Sequence, residues 1–169
     1  MPLIQLVNSC KGNKLAWEKT HQLAFDTLRN ALITKPVLRA ADPTKAFEIF
    51  VDAAKTNSIS AILLQRENTE DKTGYAISYC SRKLEPREQR YPTIELELLA
   101  IVYALQKFRY WVYNKKVIVH TDHRPLEHLN SLSKHSSRLA RYNLILQEYD
   151  IETRYIQGKN QLADHLTRL

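Results

Sequence analysis

The sequence predicts an α/β domain organised around one mixed sheet, and three observations carry that prediction. From Phe47 to Ala54, Phe47, Ile49 and Val51 alternate with Glu48, Phe50 and Asp52, the period of two that a pleated strand imposes. Two more β-rich runs, Ile59 to Leu64 and Tyr75 to Arg82, follow across short polar connections and read as an antiparallel meander with the first. A helical stretch from Pro92 to about Val112 then leads into Val117-Ile118-Val119. Strand, helix and strand in that order form a right-handed crossover, which returns the strand of Val119 beside that of Val51 and parallel to it.

Before the first strand, Trp17, Leu23, Ala24, Leu28, Ala31 and Leu32 recur at helical spacing within Lys14 to Leu38, and Pro36 marks the stop. Ala41-Asp42-Pro43-Thr44 is a turn cluster, so residues 1–45 read as a leader helix and 46–169 as the domain proper. Glu67 to Gly74 is a polar loop. Pro92 sits near the first turn of the long helix, where its missing N–H is harmless. At roughly 100° per residue, Ile101, Ala104, Leu105, Phe108 and Val112 share one side of that helix, with Glu97 at the edge of the stripe and facing the sheet. Glu95 falls on the opposite side with Gln106, Arg109 and Tyr113, where a carboxylate near a helix N-terminus is favourable. After His120-Thr121-Asp122-His123, residues Arg124 to Tyr149 read as helical in two pieces, locally basic through Lys134, His135, Arg138 and Arg141. Ile151 to Ile156 alternates as a fifth strand, Gln157-Gly158-Lys159-Asn160 turns, and Leu162 to Leu169 begins a last helix carrying Asp164.

At 169 residues, 44% hydrophobic and 25% charged, the composition is that of one globular domain with a short appendage. No apolar run approaches the roughly 20 residues of a membrane span, and Met1 to Val7 lacks the basic start of a signal peptide. Cys10 and Cys80 have no metal-type spacing and read as reduced thiols of an intracellular protein, Cys80 within the core. His120, His123, His128 and His135 mix a strand end, a turn and helices without cysteine companions, which argues against zinc. A formal charge of +7 and a pI near 9.4 favour an anionic partner such as nucleic acid.

Four acids stand out against this background. Asp52 and Asp122 end two strands, Glu97 lies on an inward helix face, and Asp164 follows the last strand. Taken alone, Asp52 could simply open the turn into Ala53-Ala54-Lys55. A carboxylate at the heart of a sheet is otherwise costly unless paired or bound to metal. Convergent carboxylates suit Mg²⁺, a hard octahedral ion, and two such ions about 4 Å apart can clamp the attacking and leaving oxygens of a phosphodiester.

At these residues the sequence resembles the ribonuclease H domain of Ty3/gypsy-type retrotransposon reverse transcriptases. The pieces that carry the resemblance are Phe47-Glu-Ile-Phe-Val-Asp52-Ala53, Ala76-Ile-Ser-Tyr-Cys-Ser-Arg82-Lys83-Leu84, Tyr91-Pro-Thr-Ile-Glu-Leu-Glu97-Leu-Leu-Ala-Ile-Val102, Thr121-Asp122-His123-Arg-Pro-Leu126, Arg138-Leu-Ala-Arg141, and Tyr155-Ile-Gln-Gly158-Lys-Asn160 leading to Ala163-Asp164. Each is weak alone, whereas the ordered set is specific and spans nearly all of residues 46–169. In the leader, Trp17, Ala24-Phe25, Leu28, Leu32 and Pro36-Val-Leu38 resemble the connection segment between polymerase and ribonuclease H.

The resemblance implies a ribonuclease H-like five-stranded mixed sheet, with three antiparallel strands and then two returning parallel to the first, flanked by helices. It implies metal-dependent hydrolysis of the RNA strand of RNA–DNA hybrids, with two Mg²⁺ ions for which Mn²⁺ can substitute. By position, Asp52 bridges both ions, Glu97 and Asp122 complete one site, and Asp164 helps hold the other. Hybrid recognition then rests on the minor groove, where RNA displays 2′-hydroxyls. Arg82, Lys83, Lys134, Arg138 and Arg141 are the candidate phosphate contacts. The implied partners are hybrid nucleic acid, the polymerase and other polyprotein domains, in a cytoplasmic retroelement particle with access to the nucleus.

Three departures from the pattern are visible. Ala54 stands where the family has Ser, Ser58 and Ser60 stand where glycines are favoured in the first hairpin, and Tyr142 replaces a common Trp. The lost glycines are expected to loosen the hairpin. No Tyr-x-Asp-Asp-like segment occurs, so polymerase activity is not expected of this chain. An idle retroelement-derived module that binds hybrid or a protein partner without cutting is the alternative reading.

Overall fold

The computed structural model describes residues 2–9, 15–34, 38–54, 58–68, 74–124, 126, 137–158 and 161–163. They fall into two compact units, Met1–Val37 and Leu38–Leu169. The first unit holds α1 (Pro2–Ser9) and α2 (Lys19–Thr34). The helical spacing around Trp17 to Leu32 is realised as α2, which begins later than Lys14; the end of that expected span, residues 35–37, lies outside the described residues. At its start the Glu18 amide donates to His21 Nδ1 and the Trp17 indole donates to Gln22. Helix α1 was not expected.

The second unit is built on β1 (Phe47–Ala54), β2 (Ser58–Gln65), β3 (Tyr75–Lys83), β4 (Lys116–Thr121) and β5 (Asp150–Tyr155), in the order β3-β2-β1-β4-β5. The first three pair antiparallel, and β4 and β5 run parallel to β1, as expected. Residues 38–45 fall in the same compact unit as the sheet. The Arg39 amide donates to the Ala76 carbonyl, and the buried Gln65 side chain bonds both the amide and the carbonyl of Asp42.

The crossover helix is α3 (Thr93–Lys107), and it covers one face of the sheet. Ile49, Val51, Ile59, Ala61 and Leu63 from the strands meet Leu98, Ile101 and Leu105 from α3, all at 1% exposure or less. The single helix expected to reach Val112 is interrupted at Phe108, whose ψ of 8° leaves the helical range, and the chain resumes as the short α4 (Arg109–Val112). Asn114, at φ 56°, then makes the left-handed turn into β4. A further α-helix of this unit, α5 (Ser137–Leu146), brings Leu139 and Leu146 into the same core. The first helical piece expected between Arg124 and Leu132 lies almost wholly outside the described residues, as does the last helix beyond Ala163. Cys80 is half-buried at the core's edge, and burial pushes its thiol up to about 11, so it stays protonated at neutral pH.

Phe50, Ile62, Leu64 and Ala163 form a smaller cluster joined by Ala76 and Ile156. Phe50 pairs with Ile62 across β1 and β2, on the side chains' alternate parity to Ile49 and Val51.

Because Leu105 is fully buried between α3 and the strands, Leu105→Ala should cost about 2–5 kcal/mol and lower the melting temperature by roughly 5–15 °C. Thermal unfolding followed by circular dichroism measures this. A shift under about 2 °C would mean that α3 does not close the core.

Candidate metal centre

Parallel pairing decides where the acids meet. β1 and β4 run in register from Phe47↔Val117 to Phe50↔His120, which sets Val119 opposite Ile49 and not opposite Val51. Extending that register by two residues makes Asp52 level with Asp122. Glu97 reaches the same place from the second turn of α3. Among the described residues, Asp52, Glu97 and Asp122 each offer one carboxylate oxygen, and these oxygens lie within 4.8 Å of one another. Asp164, the fourth sequence candidate, lies outside the described residues.

The electrostatics of this cluster are unfavourable without a cation. Asp52 is 8% exposed and Glu97 4%. Burial, then the charges of Asp122 and Asp52, push the Glu97 carboxyl up to about 9. Glu97 Oε2 is buried without a hydrogen-bond partner among the described residues. Buried polar atoms are ordinarily bonded, so a carboxyl with one orphaned oxygen that also offers an oxygen close to two further carboxylates fits a hard, oxygen-seeking cation. Ile156 donates to the Thr121 carbonyl, and Gly158 lies beside Asp122, where a Cβ would meet Asp122 Oδ2 at 3.5 Å, an ordinary van der Waals contact. A cavity of about 470 Å³ bordered by Ala41, Pro43, Phe47, Tyr110, Trp111 and Lys115 sits at the opposite end of β1 and has no carboxylate in its lining.

The basic candidates divide into two kinds. Arg82 forks onto both oxygens of Glu88, itself buried at 5% exposure. Arg138, on α5, ion-pairs with Glu95 and lies 3.8 Å from the Tyr91 ring centre. Lys83 and Arg141 are exposed, and Lys134 lies outside the described residues. Glu95 thus departs from its sequence reading: the helical wheel placed it away from the sheet, but α5 packs there and buries it to 6% exposure.

One cluster escaped the sequence reading. Glu48, on β1, accepts from both nitrogens of the Arg66 fork and shares a 2.7 Å hydrogen bond with His120 Nε2. The His120 ring stacks on Phe50 at 4.3 Å. Burial opposes ionisation of Glu48, but the His120 and Arg66 hydrogen bonds outweigh it and hold the carboxyl down at about 2. A carboxylate of Asp52's parity inside an apolar strand was the available signal; its partners follow only from the cross-strand register.

Sheet order, the β1–β4 register and the acid cluster together define a domain of the RNase H-like class. Solved structures share the fold. A foamy viral protease-reverse transcriptase in complex with RNA/DNA hybrid superposes with a TM-score of 0.57 at 19% identity, over 93% of this chain and 21% of that one. LC11-RNase H1, also solved in complex with RNA/DNA hybrid, gives 0.52 at 14% identity over 73% and 93%. The family model for the RNase H-like domain found in reverse transcriptase matches residues 42–149, and the chain belongs to that family. Its relatives include the retrovirus-related Pol polyprotein from transposon 412 of Drosophila melanogaster, 38% identical over 162 residues, 95% of this chain and 13% of the relative. That from transposon 297 of the same organism is 35% identical over 167 residues, 96% and 15%. The transposon Tf2-3 polyprotein of Schizosaccharomyces pombe is 30% identical over 164 residues, 94% and 12%. The chain therefore spans only 12–15% of these relatives' length.

The raised Glu97 carboxyl gives a pH dependence of definite sign. Its folded pKa of about 9 exceeds the unfolded value of 4.5, so the folded chain holds an extra proton between those pH values. Without cation, stability should fall as pH rises through that window, with a limiting slope of about 1.4 kcal/mol per pH unit. Cation binding needs the ionised form, so Mg²⁺ affinity should rise over the same range. Melting curves with chelator and with Mg²⁺ at pH 5, 7 and 9 measure both effects. Glu97→Gln should raise the chelated melting temperature most at high pH; an unchanged pH profile in that variant would refute the assignment.

Proposed function

We propose that this domain hydrolyses the RNA strand of RNA–DNA hybrids, with Asp52, Glu97, Asp122 and Asp164 holding two Mg²⁺ ions. The observation that carries the proposal is the convergence of Asp52, Glu97 and Asp122 carboxylate oxygens within 4.8 Å of one another, beside a Glu97 Oε2 that is buried and lacks a hydrogen-bond partner among the described residues. Two fold neighbours, a foamy viral enzyme and LC11-RNase H1, were solved with RNA/DNA hybrid, which supports the same substrate here. When bound, the cations would supply an activated water and stabilisation of the departing 3′ oxygen.

The chain's own residues do the rest. Asp52, on β1, and Asp122, one residue past the end of the adjacent parallel β4, offer carboxylate oxygens beside that of Glu97 from α3. Exposed Lys83 and Arg141 are suited to screening backbone phosphates. Arg82 and Arg138, braced by Glu88 and Glu95, present fixed guanidinium edges in place of mobile ones. Residues 1–45 are proposed as the end of a connection to a polymerase, and a cytoplasmic retroelement particle as the setting; the polyprotein relatives support both.

Cleavage of an end-labelled hybrid by the purified chain tests the proposal, with Mg²⁺, with Mn²⁺, with chelator and with Asp52→Asn. Cuts confined to the RNA strand should vanish with chelator. In the variant they should fall more than about 100-fold, beyond the loss typical of an outer-shell partner. Hybrid binding without cutting in either cation would make the domain an idle binding module.

A further inference from the structure

Two buried side chains outside the acid cluster converge on main-chain atoms next to it. Gln161, 3% exposed, donates from Nε2 to the Val51 carbonyl at 2.6 Å, and its Oε1 accepts from the Ala163 amide at 3.5 Å. Ser60, 1% exposed, donates from Oγ to the Ala163 carbonyl at 3.0 Å. Val51 precedes Asp52, Ser60 is the cross-strand partner of Asp52, and Ala163 precedes Asp164 in the sequence. The β1–β4 ladder ends at Phe50↔His120, so Gln161 occupies a β1 carbonyl just beyond the ladder's end. Ala163 itself is fully buried against Phe50, Ile62 and Leu64.

We propose that Ser60 and Gln161 are positioning residues that clip residues 161–163 across the ends of β1 and β2, setting the backbone of Asp52. This rests on the four-acid reading above. A primary amide suits the role because it donates at its nitrogen and accepts at its oxygen. The clip acts through main-chain atoms of the acids' neighbours, so neither residue is a ligand. It also reverses the sequence expectation for Ser60. In place of the glycine that would leave the hairpin bare, the hydroxyl ties β2 to a carbonyl 103 residues away.

Gln161→Glu keeps the shape but removes the donor to Val51, and Ser60→Ala removes only the hydroxyl. Three measurements on the full chain decide the matter: amide exchange by mass spectrometry, calorimetric titration with Mg²⁺ in the absence of nucleic acid, and the Mg²⁺ dependence of hybrid cleavage. Each variant should exchange faster in the peptide covering residues 157–169, with α3 peptides unchanged. Each should also need about tenfold more Mg²⁺ for half-saturation, the lower end of outer-shell effects. Faster exchange with unchanged Mg²⁺ affinity would overturn the proposal, leaving a purely structural clip, and so would unchanged exchange. If the wild-type chain binds Mg²⁺ but never cuts, the hydrolase reading fails alone and the titration still decides the clip. A wild-type chain that binds no Mg²⁺ overturns both.

Discussion

The repulsion among Asp52, Glu97 and Asp122 is the constraint to which the rest of the domain answers. Three carboxylates within 4.8 Å of one another, two of them buried, oppose folding wherever all are ionised. What holds them together is the apolar contact of α3 with β1 and β2, where Ile49, Val51, Leu98 and Ile101 lie within a few residues of the acids and are excluded from water. Burial of that surface, at about 25 cal/mol per Å², supplies the stabilisation against which the acids are strained. Active sites commonly trade stability for chemistry in this way.

β1 carries two carboxylates, and together with Glu97 they illustrate opposite treatments of charge. Glu48 is hydrogen-bonded by His120 on one side and by Arg66 on the other, and held down at about 2. Glu97 is driven up to about 9 by burial, then by the like charges of Asp122 and Asp52. A chain with 25 Lys and Arg against 18 Asp and Glu does not lack cations. Arg66, Arg82 and Arg138 are spent on Glu48, Glu88 and Glu95 instead. The contrast is between carboxylates held by side-chain cations and a Glu97 carboxyl raised by burial and by like charge.

Much of the sheet was legible in the sequence because period-two alternation and a helix between strands constrain topology strongly. The features that escaped depend on distant partners. Glu95 lies opposite the apolar stripe of α3, as a helical wheel requires, yet the wheel cannot know that α5 brings Arg138 over that side. The Glu48 network needs the register that sets Phe50 beside His120, and two-residue periodicity does not reveal register. Ser60 was readable only as an absent glycine, since the carbonyl it bonds is 103 residues away. Helix α1 escaped because eight residues are too few to establish a helical period.

Chain order accounts for the acids' meeting at one end of the sheet. A right-handed crossover makes β4 parallel to β1, so the carboxyl ends of both strands open on the same side, the usual position for a site between adjacent parallel strands. Glu97 then needs only to lie early in the crossover helix, because α3 starts near the end of the sheet at which β1 stops and runs back along it. Had β4 paired antiparallel, Asp122 would lie at the far end of β1, beside the cavity lined by Phe47 and Trp111, and no local adjustment could restore the cluster. A cation that binds only the assembled site stabilises the whole topology by mass action. The residues that strain the free chain thereby become the ones through which a bound ion would secure it.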